Sequence, residues 1–246
     1  MIVTKDIKMA DVVHINHFSL SILDRFGIEL GFGNKTVEET CSMYNVDPDF
    51  FLEIINAFID NDYFPKKQLQ SFSVKLIIEY LQKTHYYYTQ VKVPEIELLI
   101  EQMINNCYTQ KENISLLKRF FFEYETELKN HILREEKVVF PYIQLIEDAY
   151  YSNNISDKII KNMEDYSIDI FEKEHDNIEE KLFDLKNIII KYLPQPNNKS
   201  ICHNLLHELF SLEKDINDHS RIEDKVLVPK IRAMEKEIKK KAGLKS

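Results

Sequence analysis

From about residue 73 onward, apolar side chains recur at alternating steps of four and three in four separate stretches. The first seam reads Val74, Ile78, Leu81, His85, Tyr88, and the second Leu117, Phe121, Tyr124, Leu128, His131, Glu135, Val138, Tyr142. The third reads Phe171, His175, Ile178, Leu182, Leu185, Ile189, Tyr192, and the fourth Leu205, Leu209, Leu212, Ile216, His219, Glu223, Val226. Such spacing lines one stripe of a helix. Four stripes predict an all-α fold built on an antiparallel up-down-up-down four-helix bundle with knobs-into-holes packing. Glycine agrees with this: Gly27, Gly31 and Gly33 stand together, and none follows until Gly243.

The start of the chain has a different pattern. "ADVVHINHFSLSILDRFG" reads as one amphipathic helix stopped by Gly27. Thr36 and Glu39 make a capping box for "VEETCSMY", and Asp47 with Pro48 opens "PDFFLEIINAFI". "DNDYFPKKQLQ" then reads as a connection. The predicted organisation is a small helical unit over 1–65, a linker over 66–76 and the bundle over 77–246.

Each seam is interrupted once by histidine, and two are interrupted again one turn later by glutamate. "HILREEKVVFPYI" from His131 and "HSRIEDKVLVPKI" from His219 share His, Glu, Lys, Val, Pro and Ile at matching places, 88 residues apart. The steps between His85, His131, His175 and His219 are 46, 44 and 44 residues. Helices running about 20 residues, roughly 30 Å, on either side of a short loop return to the same height after such a step. The four histidines are therefore expected at one level.

Any one core histidine is explained by an ordinary hydrogen bond. Two unpaired buried carboxylates are not, because each costs several kcal/mol against a margin of about 5–15 kcal/mol. The six residues His85, His131, Glu135, His175, His219 and Glu223 thus predict a metal cage. Six ligands exceed the four of a structural zinc. Imidazole and carboxylate donors on four helices suit two iron ions, with the glutamates able to bridge them. Two divalent irons carry +4 against −2 from the carboxylates, leaving room for an oxide, a hydroxide or an exogenous ligand.

Composition narrows the setting. Of 246 residues, 44% are hydrophobic and 30% charged, which suits a soluble protein with a sizeable core. There is no run of 18 apolar residues and no signal-peptide layout at the start, so no membrane span is expected. Cys41, Cys107 and Cys202 are widely spaced, favouring a cytoplasmic location over a disulfide framework. The net charge of −9 opposes a nucleic-acid partner. The helix–turn–helix look of residues 37–60 does not change that, since residues 1–72 hold 6 basic against 11 acidic side chains.

The six residues in this order resemble the hemerythrin-like di-iron proteins, and more specifically the RIC (repair of iron centres) family, whose set is four His and two bridging Glu. Glu179 stands where hemerythrins carry a further histidine. "RFGIELGFGNKTVEETC" is similar to the family's small leading domain, except that Gly31 and Phe32 stand where the family has a Cys-Cys pair. The resemblance implies two non-haem iron ions bridged by oxide or hydroxide. It also implies repair or protection of iron–sulfur clusters damaged by nitric oxide or oxidative stress, in the cytoplasm, commonly as a homodimer. Damaged iron–sulfur proteins would be its partners. The missing pair puts thiol chemistry in doubt and raises a second reading. In that reading the di-iron site binds O2 or NO and the leading unit relays the signal to a partner.

Around the site, Glu127, Glu174 and Glu179 are candidates for holding ligand imidazoles or lining a path, with a solvated helix face as the other reading for the first two. Tyr88 and Tyr124 read first as core packing, with a hydroxyl beside a bound O2 or NO as the other reading. Glu136 and Asp224, one place after the ligand glutamates, are expected in surface ion pairs. His14, His17, His203 and His207 read as surface or packing residues. Pro141 and Pro229 should kink or end their helices, and the apolar pattern continuing through Tyr142 and Leu145 favours a kink at Pro141.

Overall fold

The computed structural model describes residues 2–60, 62–108, 112–152, 155–173 and 178–243, side chains at 112–115, 172–173 and 179 excepted. Five short helices come first: α1 (Met9–Ile15), α2 (Ser19–Arg25), α3 (Val37–Met43), α4 (Pro48–Ile59) and α5 (Lys66–Ser71). The single helix predicted before Gly27 is two. Asn16 is extended, and its side-chain oxygen accepts the Phe18 N–H at 3.0 Å, an Asx turn that replaces the next helical bond. Gly27 lies just past the end of α2 at φ +69°, a left-handed conformation natural to glycine. Thr36 and Glu39 form the predicted capping box, and Asp47 caps α4 ahead of Pro48. The stretch expected as a connection contains α5. It is tied to the bundle by Lys230, which donates to the carbonyls of Gln70 and Phe72.

The bundle is built from α6 (Val74–Tyr87), α7 (Val93–Asn106), α8 (Glu112–Arg134), α9 (Phe140–Ser152), α10 (Asp157–Asp165), α11 (Ile168–Lys173), α12 (Ile178–Asn187), α13 (Lys199–Ile222) and α14 (Val228–Lys241). In one half α7, α8, α12 and α13 close a ring; in the other α9 packs on α6 and α14, and α11 on α14. The chain runs up α6–α7, down α8–α9, up α11–α12 and down α13–α14. The fold is all-α, and among the described residues there is no strand, only an isolated bridge between Lys8 and Thr36. No described helix is long and apolar enough to cross a membrane.

Three of the long helices change register through a π-turn: Tyr88–Lys92 between α6 and α7, Glu135–Val139 between α8 and α9, and Glu223–Leu227 between α13 and α14. Each is closed by a bond spanning five residues, such as Phe140 N–H to the Glu135 carbonyl. Two places beyond each turn stands a proline: Pro94, Pro141 and Pro229. Proline within an α-helix lacks its N–H donor and clashes with the carbonyl four residues back. The wider turn relieves that clash, so Pro141 and Pro229 are carried within continuing helical segments instead of ending them. The added residue also shifts the seam. Val138, predicted to face inward, is 45% exposed while Val139 is buried. Tyr192, the last residue of the π-turn Ile188–Tyr192, is likewise exposed.

Buried apolar residues fall into two clusters. One joins the leading helices to residues 74–81, 139–171 and 222–238; the other gathers residues 88–132 and 178–216. The gap between them is filled by the polar residues of the seams.

Candidate metal centre

His131 and Glu135, and likewise His219 and Glu223, are four apart and so share one helix face. His85 lies in the last turns of α6, just before its π-turn. Glu135 and Glu223 are the first residues of theirs. His85, Glu135, His219 and Glu223 are all buried, and one donor atom from each lies within 4.8 Å of the others. His85 Nε2 is 3.3 Å from His219 Nε2 and 3.0 Å from Glu135 Oε2. His219 Nε2 is 3.3 Å from Glu223 Oε1. The other oxygen of Glu135, Oε1, is 2.9 Å from Nε2 of the half-buried His131. One carboxylate therefore spans two histidine groups. His175 and Glu174 lie outside the described residues, as does the side chain of Glu179.

Burial, the largest influence on His85, opposes its protonation, but Glu135 and Glu136 outweigh it and raise its pKa to about 9. Glu136 is not in a surface ion pair as expected. Its Oε1 accepts from His85 Nδ1 at 2.8 Å, its Oε2 accepts from Gln82 at 2.8 Å, and its own pKa is lowered, chiefly by the bond to His85. Phe140 stacks on the His85 ring at 5.6 Å. With Nδ1 held this way, Nε2 is aimed into the cluster.

The donor set fits a cation. Two ring nitrogens facing each other can share one proton, whereas a metal ion draws lone pairs from both rings and from both carboxylates.

Glu127 is on the surface, paired with Lys181, which is the solvated-face reading. Tyr124 is buried and packs on Phe121. Tyr88 is buried too, and its hydroxyl donates to Asp215 at 3.1 Å. His14, His17, His203 and His207 are exposed, with His17 and His207 stacked. Sequence reasoning missed Glu136, Asp215 and Arg25. Asp215 had a signal, as a carboxylate one turn before His219, but Arg25 had none.

The hemerythrin HHE cation binding domain family matches residues 95–231 of this chain. That span holds all the predicted ligands except His85, which lies just ahead of it. Over 229 residues the chain is 19% identical to the iron-sulfur cluster repair protein ScdA of Staphylococcus haemolyticus (strain JCSC1435), covering 93% of this chain and 99% of that protein.

Proposed function

Because this chain belongs to the hemerythrin HHE cation-binding family, we propose that it is a di-iron protein of the RIC kind that repairs or protects iron–sulfur clusters damaged by nitric oxide or oxidants. The metal ligands in this reading are His85, His131, Glu135, His175, His219 and Glu223. The observation that carries it is the Glu135 carboxylate, one oxygen beside His85 and the other beside His131, as bridging two ions requires. The likeness to ScdA extends through the leading segment, which favours repair over gas binding alone.

When bound, iron supplies redox and Lewis-acid chemistry and a position open to small ligands. The chain supplies the frame. His85 and His219 would hold the metal through their Nε2 atoms, Glu135 and Glu223 would supply carboxylate oxygens and negative charge, and Glu136 fixes the His85 ring. The apolar clusters above and below exclude bulk water. The buried cysteines suit a reducing cytoplasm.

Iron analysis of freshly purified protein should find about two ions per chain, as in other carboxylate-bridged bundles; none would end the reading. The iron-loaded protein should restore activity to a nitric-oxide-inactivated dehydratase beyond an iron-free control. His131→Ala and Glu223→Ala should each lower iron content while leaving the helical circular dichroism intact, and full iron in both would show that the ligands are wrong. Gly31 and Phe32, in place of the Cys-Cys pair, favour a second reading as an O2 or NO sensor. Fast, reversible spectral change on gas addition without any repair would select it.

A further inference from the structure

The leading segment brings a buried charge to the polar layer. Arg25, at the end of α2, is 4% exposed, and its guanidinium pairs with Asp215, 5% exposed, from α13. A buried charge is destabilising unless paired and hydrogen-bonded. Both conditions are met here. Asp215 Oδ2 accepts from Arg25, and Oδ1 accepts from the Tyr88 hydroxyl at 3.1 Å. The guanidinium also lies 4.8 Å from the centre of the Tyr87 ring, with Nη1 3.4 Å from the Tyr80 hydroxyl. Asp215 precedes His219 by one turn, and Tyr88 follows His85 by three residues. The Tyr88 ring lies edge-on to His219, centroids 5.9 Å apart.

We propose that Arg25 is a positioning residue for the cation site. It holds Asp215 against Tyr88, and that bond sets the spacing between the helices carrying His85 and His219. The inference rests on the di-iron reading above. His85 and His219 come from different helices, and their Nε2 atoms must stay about where they are, 3.3 Å apart, to serve one ion. Metal–nitrogen bonds tolerate only a few tenths of an ångström. A slide or rotation of one helix past the other would spoil the pair, and the Tyr88–Asp215 bond resists it from one turn away. Arg25 neutralises Asp215 and fixes which of its oxygens meets Tyr88. The leading segment thus helps position the site through a guanidinium and without thiols.

The test uses full-length protein loaded with ferrous iron and diluted into excess chelator, with release followed optically. Arg25→Met and Tyr88→Phe are each expected to release iron about 10–100-fold faster than the parent, the usual effect of losing a group that orients a ligand. Arg25→Lys, which keeps the charge but not the fork, should fall between. Tyr88→Phe removes one oxygen and keeps the ring, so it decides the matter if Arg25→Met folds poorly. Release at the parental rate in Tyr88→Phe, or in a folded Arg25→Met that merely melts at lower temperature, overturns the inference and leaves the di-iron reading standing. A parent that takes up no iron overturns both.

Discussion

Glu136 shows how much one carboxylate can decide. It accepts the Nδ1 proton of His85, so the ring is held with its Nε2 towards the cluster. Glu136→Gln keeps a hydrogen-bond acceptor but loses the charge that makes the imidazole a stronger donor. It should weaken iron binding by about 10-fold or more in competition with a metallochromic chelator; an unchanged affinity would assign Glu136 a packing role only. The cysteines make the opposite case. Burial, aided by Asp47, pushes the Cys41 thiol up to about 12, and burial also raises Cys107 and Cys202. At pH 8 Cys41 would be thiolate in roughly one molecule in 10,000, against about a quarter for a free thiol near 8.5. Alkylation followed by mass spectrometry should label native protein slowly and all three sites after denaturation; rapid native labelling would contradict this. The residues legible in the sequence were those that broke an apolar seam, because a buried polar side chain needs a reason. Glu136 sits about 100° round the helix from Glu135, where a residue ordinarily meets water. Only the approach of α6 turns that face into a contact, and no periodicity reports it.

The π-turns are where element-level reading went astray. A strict four-and-three pattern placed Val138 inside and expected a kink at Pro141. The structure reconciles both by adding a residue immediately after the glutamate. The turn at Glu135–Val139 keeps Glu135 on the inner face and re-aims everything beyond it. Deleting the exposed Val138 should return this region to plain α-helix and place Pro141 against the carbonyl four residues back. In metal-free protein, where ligand binding does not contribute, urea unfolding should then show a loss of about 3 kcal/mol. Adding Pro141→Ala to the deletion should recover most of that loss. If the deletion alone is neutral, the turn does not exist to accommodate the proline. The repeat of the same Val-x-x-Pro arrangement after Glu223 extends the argument to α13–α14, where Pro229 plays the equivalent part.

At the scale of the molecule, the polar layer divides the interior, and the leading helices share a core with one side of it. Ile55 in α4 is fully buried in the same cluster as Ile78 of α6, Ile143 of α9 and Ile231 of α14. The small leading unit predicted over residues 1–65 therefore leans on bundle residues for its burial, and they on it. Truncating Ile55 to alanine should cost about 2–5 kcal/mol, as is usual for a filled core position. How that cost spreads is the informative quantity. Cooperative units open together in hydrogen exchange, and their boundaries follow shared packing. In Ile55→Ala, amides of α6, α9 and α14 should lose protection along with α4, while those of α7, α8, α12 and α13 beyond the polar layer should lose much less. Loss confined to residues 2–60 would mean that the leading helices form a unit of their own, docked on the bundle but not folded with it. Even loss across the whole chain would mean that the polar layer does not partition stability. In the expected case, binding a cation at the layer would tie the two cores together. Adding iron to the variant should then restore protection first in α6, whose His85 faces His219 of α13 across it.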